Sequence, residues 1–409
     1  MARQGYAYVA PFFPSPENWR GAYGLDFVRA LKAVAGEALD VHVFVPGAGR
    51  DYEIAGVPVH RFPVRQLPSN ILPFLFAGFN TRAFLQAVQR AYGDRPIAVC
   101  HANTAPLGVY ARALKRRQPA CRTLLQHHCL QSFGLNNGVL KHCWLYNLWM
   151  FPALRRVHEA IDCHVFISEA VRRSFLAAPN TDWTDYAFYK KQMRGLPYRP
   201  ARIKDSLILP NGVDTTIFFP ETAHAVSNAR KTPVIGCVAN FEPLKDQETL
   251  LRAVKDLDCR VRFVGSGPTR AACEARVRAW GLEGRVEFLE EVRHEELPDF
   301  YRGLDLFVLP SRFEGLGCVY LEAAACGVPF VGCTGQGIAD FAPDAWLVPP
   351  HDAAALQAKI VEMLKARPAV RLKQPVEIQA LVRTFWEEGV ESRWREESVF
   401  PGIISSEVT

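Results

Sequence analysis

Long hydrophobic runs are missing from this sequence. A membrane-spanning helix needs about 20 consecutive apolar residues, and the best candidate, at 71–79, has about half of that length. The N-terminal residues have no separate apolar core ending in small residues, as a secretory signal does, and they show the pattern of a strand instead. We therefore expect a soluble protein.

Paired cysteines and metal-ligand spacings are missing as well. The 11 cysteines include no Cys-x-x-Cys pair and no Cys/His spacing typical of a zinc site. We expect neither a disulfide framework nor a structural metal, and a cytoplasmic location fits the cysteine content best. With 49% apolar and 22% charged residues, the chain also lacks the composition of a disordered or fibrous protein.

Charge is unevenly distributed along the 409 residues. Residues 1–220 carry 26 Lys and Arg against 14 Asp and Glu, a net charge of +12, whereas residues 221–409 carry 22 against 28, a net charge of −6. The basic half could face anionic lipid, nucleic acid or an anionic acceptor. A drift of surface charge without functional meaning is the alternative.

Short apolar runs alternate with helical patterns, which is typical of βαβ units around a parallel sheet. Strands are predicted at 5–11, 41–46, 97–102, 122–127, 163–168 and 206–210, and then at 233–239, 259–265, 285–290, 304–310 and 329–333. Helical periodicity is present at 25–36, 81–93, 247–257, 270–280 and 318–326. We predict an α/β protein with two Rossmann-like, doubly wound domains.

The predicted domain boundary lies in a polar segment at 219–232. It gives domains at 1–219 and 220–375, and we expect a C-terminal helix at about 376–395 to pack back on the first domain. Two aromatic and basic segments, 129–158 and 178–204, are longer than ordinary connections, so they are candidates for binding. Packing of their aromatic residues into the core is the alternative.

The strongest local pattern is the run 311–329, where a predicted strand enters a glycine-containing turn and then a helix. The backbone of Gly315 and Gly317 can approach a ligand closely, and the helix N-terminus that follows favours phosphate. Glu314 precedes the turn and Glu322 lies on the helix, about 12 Å further along. This separation is too long for an acid and nucleophile pair but suits carboxylates that hold hydroxyls at two ends of one ligand.

Glu314, seven further residues and Glu322 resemble the E-x7-E motif of the family-4 retaining glycosyltransferases of GT-B fold. VANFEPLKDQETLLRAV resembles the strand, loop and helix that carry the family's pyrophosphate-binding lysine, here Lys245. VRFVGSGP resembles its glycine-bearing strand end, at Gly265 and Gly267, and residues 209–220 resemble its interdomain segment. The resemblance implies two domains that face each other across a cleft.

The resemblance further implies transfer of a sugar from a nucleotide diphosphate donor to an acceptor hydroxyl, with retention at the anomeric carbon. The first domain would bind the acceptor and the second the donor, and the catalytic candidates are Glu314, His128 and Lys245. The residues implied to bind the donor are Gly21, Gly24, Asn240, Lys245, Gly265, Glu290, Glu314, Gly315, Leu316, Gly317 and Glu322. Within this set, Glu314 would hold the sugar's hydroxyls and Glu322 the ribose.

Histidines follow two predicted strands of the first domain. QHHC (126–129) and CHAN (100–103) resemble the family's histidine-bearing strand ends more loosely. In the family, a histidine near this position hydrogen-bonds the transferred sugar, and the register favours His128 over His127, with His101 weaker. A purely structural role is the alternative for each.

The sequence departs from the family pattern at several donor-site positions. Asn240 stands where arginine is frequent, Asp246 follows the lysine where glycine is usual, and Glu290 also replaces a glycine. The run 335–338 differs from the family's usual Gly-Gly run. These changes concern details of donor binding and not the reaction class.

No cofactor is expected, because no Asp-x-Asp run stands where a metal would be needed and the family is metal-independent. The expected partners are a UDP- or GDP-linked sugar and a sugar or lipid-linked acceptor. Aromatic and apolar segments at 71–79 and 143–156, the second with basic residues, predict contact with an anionic membrane surface; core packing is the alternative. A sugar-nucleotide epimerase of the same fold and a nucleic-acid-binding protein remain the other functional interpretations, although dispersed basic residues speak against the latter.

Overall fold

The computed structural model describes residues 3–15, 21–66, 75–128, 152–176, 201–220, 232–290, 292–312, 314–372, 382–383 and 404–407. They form two compact units, of which the first extends to Pro210 and the second begins at Asn211. The boundary predicted from the sequence followed residue 219. Most of the segments 129–158 and 178–204, the linker and the C-terminal helix lie outside the described residues.

A single, mostly parallel sheet of eight strands forms the centre of the first unit. Its strands are β1 (Gln4–Val9), β2 (Leu39–Pro46), β3 (Tyr52–Ile54), β4 (Val57–Phe62), β5 (Ile97–Ala102), β6 (Arg122–His127), β7 (Cys163–Phe166) and β8 (Ser206–Ile208). Their order is β3-β4-β2-β1-β5-β6-β7-β8, and β3 is antiparallel to β4. All six strands predicted for this half are present, whereas β3 and β4 were not predicted.

The helices of the first unit are α1 (Ala22–Ala35), α2 (Ala77–Tyr92), α3 (Gly108–Arg117) and α4 (Glu169–Leu176), with a further helical segment at 152–158. Helix α1 forms because apolar residues recur at three- and four-residue steps, so that Leu25, Val28 and Leu31 are all buried. Helix α2 contributes Phe84 to a core cluster that also contains Phe44 of β2. These contacts fix the helices against the faces of the sheet.

The second unit has the same architecture around a parallel six-stranded sheet. Its strands are β9 (Val234–Val238), β10 (Arg260–Val264), β11 (Val286–Leu289), β12 (Leu306–Val308), β13 (Phe330–Cys333) and β14 (Leu347–Val348), in the order β11-β10-β9-β12-β13-β14. Its helices are α5 (Gln247–Val254), α6 (Arg270–Ala279), α7 (Leu297–Arg302), α8 (Cys318–Ala325) and α9 (Ala353–Ala366). Strands β15 (Ala369–Leu372) and β16 (Ile404–Glu407) form an antiparallel pair. The prediction of two doubly wound sheets is confirmed.

Each sheet has one point where the strand order reverses direction. In the first unit it lies between β1 and β5, and in the second between β9 and β12. At such a point the loops from neighbouring strand ends run in opposite directions and leave a crevice at the carboxyl edge. The carboxyl ends of these strands are therefore where a ligand site is expected in each unit.

Three buried histidines lie together in the first unit. His127, His158 and His164 are each at most 1% exposed. His164 Nε2 donates to the carbonyl oxygen of His158 at 3.0 Å, and His164 Nδ1 is 2.9 Å from His127 Nε2. Burial lowers the pKa of His158 to about 3 and that of His164 to about 4, and it also lowers the pKa of His127. All three rings are therefore neutral at physiological pH.

This cluster predicts acid sensitivity of the first unit. Unfolded histidine takes up a proton near pH 6.5, whereas these do so only at much lower pH, so stability falls as pH drops below about 6.5. Each histidine can contribute about 1.4 kcal/mol per pH unit to this fall. Chemical denaturation between pH 7.5 and 4.5 measures it.

His158→Phe provides the matched variant, because neither ring nitrogen of His158 has a hydrogen-bond partner among the described residues. Phenylalanine keeps an aromatic ring beside Phe175 and removes one titrating group. The variant should take up about one proton fewer on unfolding at pH 5. An unchanged pH dependence would show that His158 is not kept neutral by its surroundings.

Candidate functional site

The loops after β9 and β12 bring two charged side chains together at the switch point of the second sheet. Lys245 lies between β9 and α5, and Glu314 follows β12. The Lys245 ammonium donates a hydrogen bond to Oε2 of Glu314. Both side chains remain partly exposed, at 25% and 16%, so a ligand in this crevice can reach them. The sequence singled out both residues but not their pairing.

The side chain of Gln336 fixes the loop that carries Glu314. Its Oε1 accepts a hydrogen bond from the backbone N–H of Glu314 at 2.7 Å, and its Nε2 donates to the carbonyl oxygen of Arg312 at 2.9 Å. The N–H of Gly337 donates to the carbonyl oxygen of Glu314 at 3.1 Å. In the sequence, the run 335–338 stands out only as a departure from the family pattern, and nothing there indicates that it holds Glu314.

Glu322 lies on α8 and is oriented by a buried tyrosine. The hydroxyl of Tyr301, on α7, donates to Glu322 Oε2 at 2.7 Å. Tyr301 is fully buried, and its pKa is raised well above the usual value by burial and then by the neighbouring Glu322 carboxylate. The phenol therefore stays protonated and acts as a permanent donor. No sequence pattern linked these two residues.

Gly265 directly follows β10, where the chain runs close to the end of β9. Its φ is +135°, and a Cβ there would lie 2.2 Å from the carbonyl oxygen of Ala239, so a larger residue would force the backbone apart. A Cβ at Gly267 would likewise lie only 2.5 Å from the carbonyl oxygen of Phe241. The two glycines allow the loops after β9 and β10 to lie side by side at the carboxyl edge.

The turn into α8 has the predicted strand, turn and helix arrangement. Gly317 is the N-cap of α8 with φ +76°, and Gly315 and Leu316 before it are buried. The first turn of a helix leaves backbone N–H groups without intrahelical partners. Such groups favour a phosphate or another anion.

The other donor-site candidates of this unit lie at the same edge of the sheet. Asn240 and Glu290, which follow β9 and β11, are both exposed. Arg270 is the first residue of α6, and its Nη1 donates to the carbonyl oxygens of Gly265 at 2.9 Å and Leu289 at 3.0 Å. Arg270 thereby ties the ends of β10 and β11 together just before Glu290. No sequence pattern pointed to this residue beyond the i,i+4 spacing of Arg270 and Glu274 on one helix.

In the first unit, Gly21 and Gly24 form the start of α1. Gly21 is the N-cap with φ +91°, and a Cβ there would lie 2.9 Å from the ring of Phe12. The N–H of Gly24 donates to the carbonyl oxygen of Gly21 at 2.9 Å. Both therefore lie in the tight turn that opens the helix.

Polar side chains meet at the carboxyl ends of β5 and β6, beside the start of α1. Asn103 Nδ2 donates to Gln126 Oε1 at 3.1 Å, and the hydroxyl of Tyr23 donates to Asn103 Oδ1 at 3.3 Å. The ring of His128 is 4.9 Å from that of Tyr23. This cluster links the first helix to the switch point of the first sheet.

Successive histidines at the end of β6, His127 and His128, lie in different surroundings. His127 belongs to the buried cluster with His164 and stacks on Phe166. His128 lies beside Tyr23, and its buried Nε2 has no hydrogen-bond partner among the described residues. Burial lowers the pKa of His128 to about 4, so its ring is neutral at physiological pH. A neutral imidazole can donate a hydrogen bond to a hydroxyl or accept one from it.

His101 is an interior residue. Its Nδ1 is 2.8 Å from the hydroxyl of Tyr6, it is fully buried, and burial lowers its pKa to about 3. In the described part of the chain, no group of three or more His, Cys, Asp or Glu side chains is placed to hold a metal ion. Among those same residues, no helix has the length and apolar character of a membrane span.

Solved structures share this arrangement of two Rossmann-like units. Sucrose-phosphate synthase from Thermosynechococcus elongatus matches with a TM-score of 0.65 at 21% identity, covering 93% of this chain and 92% of that one. Anabaena HepE in complex with UDP and glucose matches with a TM-score of 0.60 at 16% identity, covering 94% and 96%. The chain therefore has the GT-B fold, as predicted.

Two family models match the chain in tandem. The model described as glycosyl transferase 4-like domain matches residues 21–181, and the model described as glycosyl transferases group 1 matches residues 232–366. The chain belongs to this family of GT-B glycosyltransferases, which confirms the family predicted from the sequence. Retention at the anomeric carbon stays a prediction.

Curated relatives in the family are named for different substrates. The GDP-mannose-dependent monoacylated alpha-(1-6)-phosphatidylinositol monomannoside mannosyltransferase of Corynebacterium glutamicum is 33% identical over 177 residues, which cover 38% of this chain and 46% of that one. The D-inositol 3-phosphate glycosyltransferase of Acidothermus cellulolyticus is 26% identical over 407 residues, covering 91% and 84%. The chain thus spans less than half the length of the first of these relatives.

Proposed function

We propose that this protein transfers a sugar from a nucleoside diphosphate sugar to an acceptor hydroxyl, with retention at the anomeric carbon. The observation that carries the proposal is the Lys245–Glu314 ion pair at the switch point of the second sheet. An ammonium and a carboxylate side by side match the two chemistries of the donor, a diphosphate and a polyhydroxyl ring. Membership of the family supports the same assignment.

The reaction breaks the bond between the anomeric carbon and a diphosphate oxygen, so negative charge grows on the departing diphosphate. Lys245 and the backbone N–H groups at the start of α8 are assigned to stabilise that charge, since preorganised electrostatic groups act most strongly where charge develops. Glu314 accepts hydrogen bonds from the sugar's hydroxyls, and Glu322 from the ribose. The acceptor oxygen then bonds to the anomeric carbon on the face that the diphosphate leaves, and the acceptor's proton passes to the departing diphosphate oxygen, without a covalent enzyme intermediate or a metal ion.

His128 is assigned to hydrogen-bond the transferred sugar. The support is its neutral ring beside Tyr23 and its buried Nε2 without a partner among the described residues. His127 is unsuited to this role because its Nε2 is already used within the buried histidine cluster.

Thermal stabilisation by nucleotides tests the proposal, because a ligand that binds the folded state raises its apparent stability. GDP-mannose is the first donor to try, since it appears in the names of several relatives, followed by UDP-linked sugars. We expect stabilisation by one nucleoside diphosphate and by its sugar conjugate, without added metal and in the presence of EDTA. Absence of stabilisation by GDP, UDP and ADP would contradict the proposal.

Product analysis separates this function from the epimerase alternative. A transferase releases nucleoside diphosphate and passes the sugar to an acceptor or to water, whereas an epimerase returns a nucleotide sugar of altered configuration. Nuclear magnetic resonance of the anomeric proton in the product decides between retention and inversion. Neither the epimerase nor the nucleic-acid interpretation is favoured by the family models, both of which describe glycosyl transferases.

For the acceptor, we propose a lipid-linked molecule at an anionic membrane surface. The support is an exposed apolar pair at the start of α2, Leu75 and Phe79, which are 53% and 39% exposed. The guanidinium carbon of Arg65 lies 4.3 Å from the centre of the Phe79 ring. An aromatic residue beside an arginine suits the headgroup region of a membrane. Of the second predicted segment, residues 143–151 lie outside the described residues, as does Lys141, the basic residue that precedes this segment in the sequence.

Sedimentation with vesicles is expected to show binding to anionic and not to neutral lipid, with a loss at high salt. Leu75→Ser together with Phe79→Ser should reduce binding several-fold, because the apolar surface available to the lipid is lost. Neutralising Arg155 and Arg156 should weaken binding as well. Val361→Ser is the control, since Val361 is similarly exposed, at 48%, but lies on α9 of the second unit. Protein that stays in the supernatant with both lipids at low salt would favour a soluble acceptor.

A further inference from the structure

Asp246, the residue after Lys245, has a buried carboxylate with two partners, an arginine and a histidine. Its side chain is 3% exposed. Its Oδ2 accepts a hydrogen bond from Arg312 Nε at 2.9 Å and lies 2.8 Å from Nδ1 of His351. Arg312 precedes Glu314 by two residues, and His351 lies just before α9. One carboxylate therefore joins the lysine loop to two other segments of the second unit.

The backbone forms a second link between the same two loops. The N–H of Arg312 donates to the carbonyl oxygen of Leu244 at 2.9 Å. Lys245 is thus flanked on both sides by residues bonded to Arg312, and Lys245 itself is paired with Glu314. Side-chain and backbone hydrogen bonds together restrict how far the two loops can move apart.

The Asp246 carboxylate contacts Arg312 and His351 instead of capping the helix that follows it. Asp246 is the N-cap of α5, a position where aspartate commonly accepts a hydrogen bond from the helix, but its side chain makes no such bond. Its φ of +50° and ψ of +41° are left-handed, which is unfavourable for residues other than glycine and less so for aspartate and asparagine. The local backbone preference is therefore overridden by the contacts of the side chain.

From this geometry we propose that Asp246 is a positioning residue, which through Arg312 and His351 holds Lys245 at the distance from Glu314 that the donor diphosphate requires. The proposal rests on the function proposed above and adds a residue to it. Asp246 itself is too buried to contact the donor. Its loss should therefore weaken recognition of the β-phosphate, where Lys245 acts, more than recognition of the nucleoside, where Glu322 acts.

Asp246→Gly and Asp246→Asn test the proposal. Glycine removes the carboxylate and accepts the left-handed backbone without strain, and asparagine keeps one oxygen acceptor but no charge. The measurement is the affinity ratio of GDP over GMP, or of UDP over UMP, whichever pair the unaltered protein binds. We expect this ratio and kcat to fall by roughly tenfold in Asp246→Gly, about the loss of one charge-assisted hydrogen bond. Asparagine should recover part of both.

Two further variants complete the test: one removes another partner of Asp246, and the other is a control at a distant aspartate. His351→Ala removes one partner at a side chain that is 64% exposed, and it should shift the ratio in the same direction by a smaller factor. Asp305→Asn is the matched control, because Asp305 Oδ2 accepts from the N–H of Val234 at 2.9 Å, at the amino ends of β9 and β12. It should lower the melting temperature without changing the ratio.

Wild-type ratios and kcat in both folded Asp246 variants would overturn the proposal and leave Asp246 a purely structural residue. If Asp246→Gly fails to fold, a wild-type ratio in both Asp246→Asn and His351→Ala would overturn it equally. Failure of the unaltered protein to bind any nucleoside diphosphate would instead contradict the proposed function. The two failures are therefore distinguished by which protein shows them.

Discussion

Lys245→Ala is expected to lower turnover by on the order of 10²–10³, the typical effect of removing one preorganised group that stabilises developing charge. The Lys245 side chain is only 25% exposed and lies at the switch point of the sheet. Removal of the ammonium also leaves Glu314 without its ion-pair partner, so the carboxylate would repel the donor diphosphate. Steady-state kinetics with the donor identified by the nucleotide screen measures the loss.

Lys245→Arg should restore activity only in part, because a planar guanidinium does not replace a compact ammonium. Lys359→Ala is the matched control, since Lys359 is also ion-paired with a glutamate in this unit, Glu362, but lies on α9. Full activity in folded Lys245→Ala would show that the diphosphate is held elsewhere.

Glu322→Ala is expected to weaken binding of the nucleoside diphosphate by roughly 10- to 100-fold, as loss of a charged hydrogen-bond acceptor would. Discrimination between ribose and 2′-deoxyribose nucleotides should fall at the same time, because the carboxylate is assigned to the ribose hydroxyls. Titration calorimetry with both nucleotides measures the two effects.

The structure adds a stability cost that the sequence could not show. The helix position itself tolerates alanine, but the change leaves the buried hydroxyl of Tyr301 without its acceptor, which costs about 1–3 kcal/mol. Glu322→Gln is therefore the better variant for kinetics, since its amide oxygen can still accept from Tyr301. Glu248→Ala is the control, because Glu248 is a glutamate of α5 whose side chain is 40% exposed. Unchanged nucleotide affinity in folded Glu322→Gln and Glu322→Ala would remove Glu322 from the donor site.

Much of the fold could be predicted because its strands are parallel and buried. Residues such as those of β1 and β12 are apolar on both faces of the sheet, so they appear in the sequence as continuous apolar runs. The hairpin of β3 and β4 was missed because its two-residue turn is Ala55-Gly56. Both residues have positive φ, +49° and +72°, which this hairpin geometry requires, and alanine there is not a recognisable turn signal.

The candidate site was predictable residue by residue but not as an arrangement. Glu314, Glu322 and Lys245 could be located because they belong to local motifs. Gln336, Tyr301 and the Asp246 network could not, since each acts on a residue distant in the sequence. The choice between His127 and His128 likewise depends on which side of the strand end faces the buried cluster of the first unit.

The thiols of the second unit differ in their accessibility. Cys318 begins α8 directly after Gly317 and is partly exposed, whereas the other cysteines of the described residues are buried. Burial also raises the pKa of the Cys237 thiol to about 12 and that of Cys273 to about 11, which makes them slow to react. With Cys129 and Cys143, which lie outside the described residues, replaced by serine, an alkylating reagent should modify Cys318 first. A nucleotide bound against Gly315 and Gly317 would shield this thiol and slow its alkylation. The rate of alkylation, followed by intact mass, would therefore measure occupancy of the nucleotide site even when the acceptor is not known.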